Sequence, residues 1–509
     1  MIRFKQNTNL NRIAGMRRFC RMPRVAMLIL LMSLLMGCHA AKPGAPDFLD
    51  QFSAFLDERI PELIEKYDIP GVSMALVHKG RPVWSKAYGY ADLNQKRVMT
   101  VDAVCRVESI SKSVTAWGVM RLVEQGLIDL DEPAQTYLPA FRLPQSEHSG
   151  QQITVRRLLS GNAGLPLGTI GKSVEYAPQS PMPTLQVFLD REVQLLNEPG
   201  AGFMYSNVGF NLLELLIEEV AGQDFADFMA QQVLQPLGMA HSSFSWRPSF
   251  GARIPTGYEL DGTPVPPYVY PAGAAGGLFA TVGDIARFVC AGMIRSQIDH
   301  SVLMKESIAQ IHTPQVEIPG LFGFVADQYG FGHFIETLAD GRTAVWHGGQ
   351  GHGWMTHFHA IPESGDGIVI LTNSQRSWPF MAQVLTDWSR WLGIKPVKMG
   401  RITIAIKALW ALIGILLLIS LLKAYRLING LLNGARKFEP FAPQYRFWRL
   451  LQFIFGLIIL AALAWSVAQP YRFISSIFPQ GVFWGGISLL AFSMINMITA
   501  LFPAKKEIK

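Results

Sequence analysis

Apolar residues open the chain's folded part at the spacing of a helix face. They fall at Phe48, Phe52, Phe55, Ile60, Leu63 and Ile64, which predicts an amphipathic helix. The period then changes. Residues 72–77 and 83–88 read as two strands joined across Lys79-Gly80, a hairpin. Helical spacing returns over 111–125, with Val114, Trp117, Val119, Leu122 and Val123 apolar and Gly126 as the stop. Strand-like runs recur at 343–346, 354–360 and 367–371, and a helix follows that ends near Trp391. Between these groups lies a long stretch punctuated by Gly and Pro. The pattern predicts an α+β fold in which an antiparallel β-sheet carries its two terminal helices on one face. The middle of the chain forms a mostly helical subdomain.

The C-terminal pattern is different in kind. Residues 403–422, 450–468 and 482–502 form three apolar segments with no polar face. At about 1.5 Å per residue, roughly 20 residues cross a hydrocarbon core about 30 Å thick. Lys407 interrupts the first segment near its outer end, where a long side chain reaches the interface. Lys423, Arg426, Arg436, Lys437, Arg446 and Arg449 crowd the first loop against a single Glu439, and Lys505, Lys506 and Lys509 close the chain. The second loop offers only Arg472. The positive-inside rule then puts the first loop and the C-terminus in the cytoplasm and the domain before residue 403 outside.

The N-terminus agrees independently. Arg17, Arg18, Arg21 and Arg24 precede an apolar core over 25–36, the layout of a secretory signal. It ends in Leu35-Met36-Gly37-Cys38, similar to a bacterial lipobox, so Cys38 is a candidate lipidation site. The expected organisation is a signal with possible lipobox (1–38), a linker (39–46), a large folded domain (47–395), a linker (396–402), three transmembrane helices (403–502) and a cytoplasmic tail (503–509).

Composition adds little beyond this. Half of the 509 residues are hydrophobic and 16% are charged, an excess that the three segments explain. The net charge of +7 owes much to the signal and the cytoplasmic loop, so it does not argue for nucleic acid. Of four cysteines, Cys20 and Cys38 lie in the signal. Cys105 and Cys290 would meet an oxidising compartment and could pair, but two buried thiols are the preferred reading.

The candidate chemistry starts at Ser109-Ile110-Ser111-Lys112. A serine and a lysine three apart at a helix start share a face, and the helix N-terminus favours an oxyanion. The lysine can be a base only if burial or cations depress its pKa. Tyr205-Ser206-Asn207 and His347-Gly348-Gly349 follow downstream. The series S-x-x-K, Y-x-N, H-x-G resembles the serine β-lactamase and penicillin-binding-protein superfamily in its class C-like branch. Further matches are Pro236-Leu237-Gly238-Met239, Gly276-Gly277-Leu278 and Tyr329-Gly330-Phe331-Gly332, so the resemblance covers roughly 47–395. One departure is Gly161-Asn162-Ala163-Gly164-Leu165-Pro166, where family members commonly carry His-Thr-Ser-Gly-Leu-Pro. This bears on substrate range.

The resemblance implies a β-lactamase/transpeptidase-like fold with the site between sheet and helical subdomain. Ser109 would be the nucleophile of an acyl-enzyme, with Lys112 and Tyr205 sharing the base role and Tyr205 returning the proton. Lys112 and His347 would stabilise the Tyr205 phenolate. Asn207 would bond Lys112 or a substrate amide, and the backbone N–H groups of Ser109 and Gln350 would form the oxyanion hole. Gly348 and Gly349 would let substrate backbone approach the strand. No cofactor is implied. His357 and His359 alternate onto one strand face, but no acidic or cysteine partner falls at matching spacing, so no metal is expected.

The layout of signal, outward-facing hydrolase domain and three membrane helices resembles the prodrug-activating peptidases of nonribosomal peptide pathways. That resemblance implies a small peptide or acylated D-amino-acid amide as substrate and the cytoplasmic membrane as site. A D-stereospecific wall-peptide hydrolase, an esterase or a β-lactamase shares the chemistry. A β-lactam-acylated membrane receptor is the alternative of another class, with only residues 423–449 available for a cytoplasmic output.

Overall fold

A computed structural model describes residues 47–143, 152–294, 296, 302–320, 322–443, 446–467 and 472–504. The signal, Cys38, the first linker and residues 505–509 lie outside the described residues.

Helix α1 (Asp47–Tyr67) leads into strands β1 (Gly71–His78), β2 (Arg81–Asp92), β3 (Arg97–Val98) and β4 (Cys105–Arg106). Among the described residues, seven α-helices and three short strands make the middle: α2 (Ile110–Glu124), α3 (Val155–Leu159), α4 (Leu185–Glu192), α5 (Asn207–Ala221), α6 (Phe225–Met229), β5 (Gly257–Tyr258), β6 (Pro264–Val265), β7 (Phe279–Ala280), α7 (Val282–Ala291) and α8 (Lys305–Ile311). The chain then returns to sheet through β8 (Val316–Glu317), β9 (Gln328–Tyr329), β10 (Phe334–Thr337), β11 (Thr343–Gln350), β12 (Met355–Ile361) and β13 (Asp366–Thr372), and closes with α9 (Trp378–Trp391).

Among the described residues, nine strands form one antiparallel sheet in the order β3-β2-β1-β13-β12-β11-β10-β9-β8. Lys79 and Gly80 turn β1 into β2 with φ of 50° and 76°, the left-handed pair whose twist suits a two-residue hairpin. Alternation sorts β1 onto both faces. Val72, Met74 and Leu76 join a core with Phe52, Leu56, Ile60 and Leu63 of α1 and Phe380, Val384 and Leu385 of α9. Ala75 and Val77 join the opposite core with Trp117 of α2 and Ile285, Phe288 and Val289 of α7. The terminal helices therefore share one face, and the helical subdomain covers the other. Cys105 and Cys290 are buried free thiols, with burial pushing each pKa up to about 12.

Three helices long and apolar enough to cross a membrane follow: α10 (Arg401–Leu432), α11 (Arg446–Val467) and, after a short α12 (Arg472–Ile477), α13 (Gly481–Leu501). Their outer surfaces carry exposed Leu418, Leu421, Ile458, Trp465 and Phe483. Small residues let α11 and α13 approach, with Ser493 Oγ donating to Gly456 O at 2.7 Å. Residues 396–402, expected as a linker, are packed into the domain: Val397, Met399 and Ile402 are 1%, 2% and 4% exposed. The first of these long apolar helices thus grows out of the same core as α1 and α9.

Candidate active site

Ser109 stands at the N-cap of α2 with φ −64° and ψ −6°, and its side chain does not cap the helix. A cap serine usually spends its oxygen on a first-turn N–H. Here that oxygen instead lies 3.2 Å from Lys112 Nζ, one turn on. Lys112 is fully buried, and its Nζ also donates to Asn207 Oδ1 and to Ala275 O, both at 2.7 Å. Burial brings its pKa down to about 7, with the Glu108 carboxylate opposing the fall. Two of the amine's positions thus face acceptors that can only accept. When the third proton leaves, the lone pair is directed at the Ser109 hydroxyl.

The second motif arrives through α5. Ser206 caps that helix, its Oγ accepting from Gly209 N at 2.9 Å and donating to Pro166 O at 2.6 Å. This puts Asn207 in the first turn beside Lys112 and Tyr205 just before it. Tyr205 shares a hydrogen bond with Ser109, and Lys112 Nζ sits 4.9 Å from its ring centre. Parallel rings of Phe322 and Phe334 flank it at 6.0 and 6.1 Å. Burial holds its phenol well above the usual value, so the expected stabilised phenolate is not what this setting favours. The loop that departs from the family pattern supports this segment from behind: Met204 N donates to Gly161 O at 2.6 Å and Gly200 N to Asn162 O at 2.8 Å.

The third motif lies on β11. His347 is fully buried. Its Nδ1 faces Gly348 O at 2.9 Å, which can only accept, so Nδ1 carries the proton and Nε2 accepts from the Tyr329 hydroxyl at 3.2 Å. Burial and the nearby Lys112 keep its pKa well below the ordinary value. His347 is therefore a neutral ring bonded to Tyr329, 6.1 Å from the Tyr205 ring centre, and not a cation beside a phenolate.

The two glycines are also where the strand meets its closest neighbours. A Cβ on Gly348 would meet the Trp378 ring at 2.5 Å, and one on Gly349 would overlap Val107 O and Thr356 Oγ1. They let β11 close against α9 and the segment carrying the nucleophile. The strand's hydrogen-bond alternation fixes the next residue. Gly351 N donates to Trp354 O at 3.0 Å, so the Gln350 N–H points to the opposite edge. There the β10 ladder has already ended at Trp346. The Gln350 side chain accepts from Trp378 Nε1 and donates to Ser476 Oγ of α12, each at 3.1 Å. His357 and His359 bond each other at 3.3 Å, enclosed by Trp346, Trp378 and Trp388.

Ser109, Lys112, Tyr205 and Asn207 are thus brought together, with the His347 ring 6.1 Å from that of Tyr205 and Gln350 three residues further along β11. Three contributors were not singled out from sequence. Ala275 offers only a backbone oxygen, which carries no sequence signal. Glu214 holds that loop by accepting from Ala274 N at 2.7 Å, and burial pushes its pKa up to about 8. Its position on the apolar face of α5 was a readable sign. Glu108, next to the nucleophile, is the third.

The chain belongs to the β-lactamase family, whose model matches residues 56–385. Among its relatives, protein flp of Staphylococcus aureus strain N315 is 25% identical over 324 residues, 62% of this chain and 62% of that protein. The match thus spans less than two thirds of that relative's length. A Pseudomonas fluorescens β-lactamase is 24% identical over 62% of this chain and 92% of its own. Similar solved structures include the octameric penicillin-binding protein homologue from Pyrococcus abyssi (TM-score 0.58, 26% identity, 68% of this chain and 78% of that one). Another is the D-alanine carboxypeptidase AmpC from Burkholderia cenocepacia (TM-score 0.53, 22% identity, 64% and 95%).

Proposed function

We propose that this protein is a membrane-anchored serine hydrolase that acts on the extracytoplasmic side through an acyl-enzyme on Ser109. The observation that carries this is the buried Lys112 amine, with Asn207 and Ala275 as two acceptors and its third position facing Ser109. Neutral Lys112 takes the Ser109 proton as Oγ bonds to the substrate carbonyl carbon. The oxyanion is received by the N–H groups of Ser109 and Gln350, a term worth about 3 kcal/mol per donor. Tyr205, kept protonated by its surroundings, passes a proton to the leaving nitrogen as the C–N bond breaks and is reprotonated from Lys112. Water then reverses the sequence and frees the acid.

We read the substrate as an acylated D-amino-acid amide. The union of a hydrolase domain and three apolar helices supports this, as does an apolar rim. Leu167 and Ile170, 43% and 52% exposed, follow Pro166, and Asn207 N donates to Leu167 O at 3.1 Å. The Phe324 side chain, 43% exposed, sits beside Arg401 at the head of the first membrane helix. The β-lactamase named among the relatives favours β-lactam turnover as the second reading.

The test is turnover by the full-length protein of N-acyl-D-asparagine amides, their L-enantiomers, a D-Ala-D-Ala peptide, a chromogenic cephalosporin and a short ester. Hydrolysis of the D-amides alone supports the first reading, and of the cephalosporin alone the second. Turnover that survives in Ser109→Ala removes both.

A further inference from the structure

Glu108 immediately precedes Ser109, and no step of acyl transfer uses it. Among the described residues five non-glycine positions have left-handed φ. Asp68, Lys79, Lys96 and Gln179 are exposed, whereas Glu108, with φ of 51°, is 2% exposed. Such a conformation persists only where the surroundings impose it.

Here the surroundings are explicit. Arg106 Nε donates to Glu108 Oε1 at 2.8 Å, the Tyr268 hydroxyl donates to the same oxygen at 3.0 Å, and the Tyr270 hydroxyl donates to Oε2 at 3.1 Å. Arg106 is itself fixed: its other nitrogens donate to Tyr268 O at 2.5 Å and Gly276 O at 3.2 Å. Its guanidinium lies 4.1, 4.6 and 5.0 Å from the ring centres of Tyr268, Tyr270 and Phe279. A Cβ on Gly351 would overlap the Glu108 carboxyl group and crowd the Tyr268 hydroxyl, so that glycine leaves room for the pair. Meanwhile Glu108 O accepts from Ser111 N at 2.8 Å, so the conformation at 108 sets where α2 begins.

We propose that Glu108 is a positioning residue: its carboxylate, gripped by Arg106, Tyr268 and Tyr270, locks the turn that aims the Ser109 hydroxyl and N–H into the cleft. This inference rests on the serine-hydrolase reading above. Glu108 has a second effect, because its charge acts on Lys112 against burial. The other titratable groups facing Lys112 are Tyr205, held protonated, and His347, held neutral. Those facing Glu108 are Arg106, Tyr268 and Tyr270. Beyond them His352 N donates to the Tyr268 hydroxyl at 2.9 Å, and the His352 ring lies between Glu175 and Glu259.

The experiment follows labelling of full-length protein in detergent by a fluorophosphonate, where Ser109 Oγ displaces fluoride, with intact mass as the readout across pH. Glu108→Ala should slow labelling on the order of 100-fold through misaimed geometry. Glu108→Gly should recover part of that rate, because glycine adopts the left-handed turn freely. Glu108→Gln should move the acid limb of the profile to lower pH, which a purely structural role would not do. The milder Tyr268→Phe/Tyr270→Phe pair leaves the Arg106 ion pair intact and keeps the test open where the Glu108 variants do not fold. It should slow labelling several-fold with the acid limb in place. Equal rates for the Ala and Gly variants with an unmoved limb in Glu108→Gln, or a wild-type rate in the double Phe variant, would overturn the proposal. Labelling that persists in Ser109→Ala would instead overturn the hydrolase reading itself.

Discussion

Replacing Lys112 by Met should abolish hydrolysis and, at the same time, change how stability depends on pH. The folded protein holds this amine at a pKa of about 7, against an ordinary lysine value of 10.5. Between those pH values the unfolded chain binds a proton that the folded chain does not. Stability contributed at this site therefore rises with pH, by about 1.4 kcal/mol per pH unit where the difference is one whole proton. From pH 7 to pH 9.5 this amounts to about 3 kcal/mol, and it is absent when residue 112 cannot ionise. Methionine fills much the same volume but leaves Asn207 Oδ1 and Ala275 O without their donor, each worth about 1–3 kcal/mol. That loss is nearly independent of pH and cancels in the comparison of slopes. The assay is denaturant unfolding of wild type and Lys112→Met in the same detergent, followed by tryptophan fluorescence at pH 7, 8, 9 and 9.5. Wild type should gain on the variant by about 3 kcal/mol across the series. Parallel curves would refute a depressed lysine, and with it the idea that Lys112 is neutral enough near pH 7 to take a proton from Ser109.

Tyr205→Phe should cut turnover by about 100- to 10,000-fold while leaving the melting temperature close to wild type, since only a hydroxyl is lost; a near-normal kcat would remove the residue from proton transfer. Gly349→Ala should destabilise the fold by about 1–3 kcal/mol and lower turnover as well, because the new methyl group forces β11 away from Val107 and Thr356. Unchanged stability there would contradict the close packing, as read by thermal melts. Glu214 provides a pH test of opposite sign to Lys112. Its folded pKa is pushed up to about 8 from 4.5, so the folded state binds the extra proton and stability is lost as pH rises through that window. Glu214→Gln should track wild type near pH 5 and be the more stable of the two near pH 9.

Much of the architecture is written in local pattern. The spacing over 111–125 marks α2 to within a residue, Lys79-Gly80 marks the first hairpin, and the β12 and β13 segments are apolar enough to stand out. The strands β8, β9 and β10 were not legible. They span only two to four residues each, Gly330 and Gly332 interrupt them, and only pairing across the sheet defines them. For the same reason β11 runs past Trp346 to Gln350: glycines have no strand propensity of their own, and the fit against Trp378 and Val107 holds them extended. The position of Ser109, Lys112, Tyr205 and Asn207 could be anticipated because each motif sits at a helix start. The orientation of His347 could not, since it depends on Tyr329 from a strand that sequence does not reveal. Short α12 was hidden by its length.

The segment that joins the β-lactamase-like domain to the three long apolar helices is the most consequential of these differences. A flexible tether would leave the enzyme free to tumble above the lipid, and a fragment ending at residue 395 would be the same catalyst in soluble form. Instead Val397, Met399 and Ile402 are buried, Arg401 holds Phe324 O, and Ser476 from the return loop touches Gln350. A cut before residue 396 would pass through a packed interior, uncover aliphatic side chains and remove the Ser476 partner of Gln350. On the membrane-anchored reading proposed above, the site around Ser109 would be held at a set height and heading relative to the lipid surface, and a substrate that partitions into the membrane would meet it in a limited range of poses. For an enzyme placed in that way the bilayer would act as a second, two-dimensional solvent, and rates would be best expressed per mole fraction of substrate in the lipid.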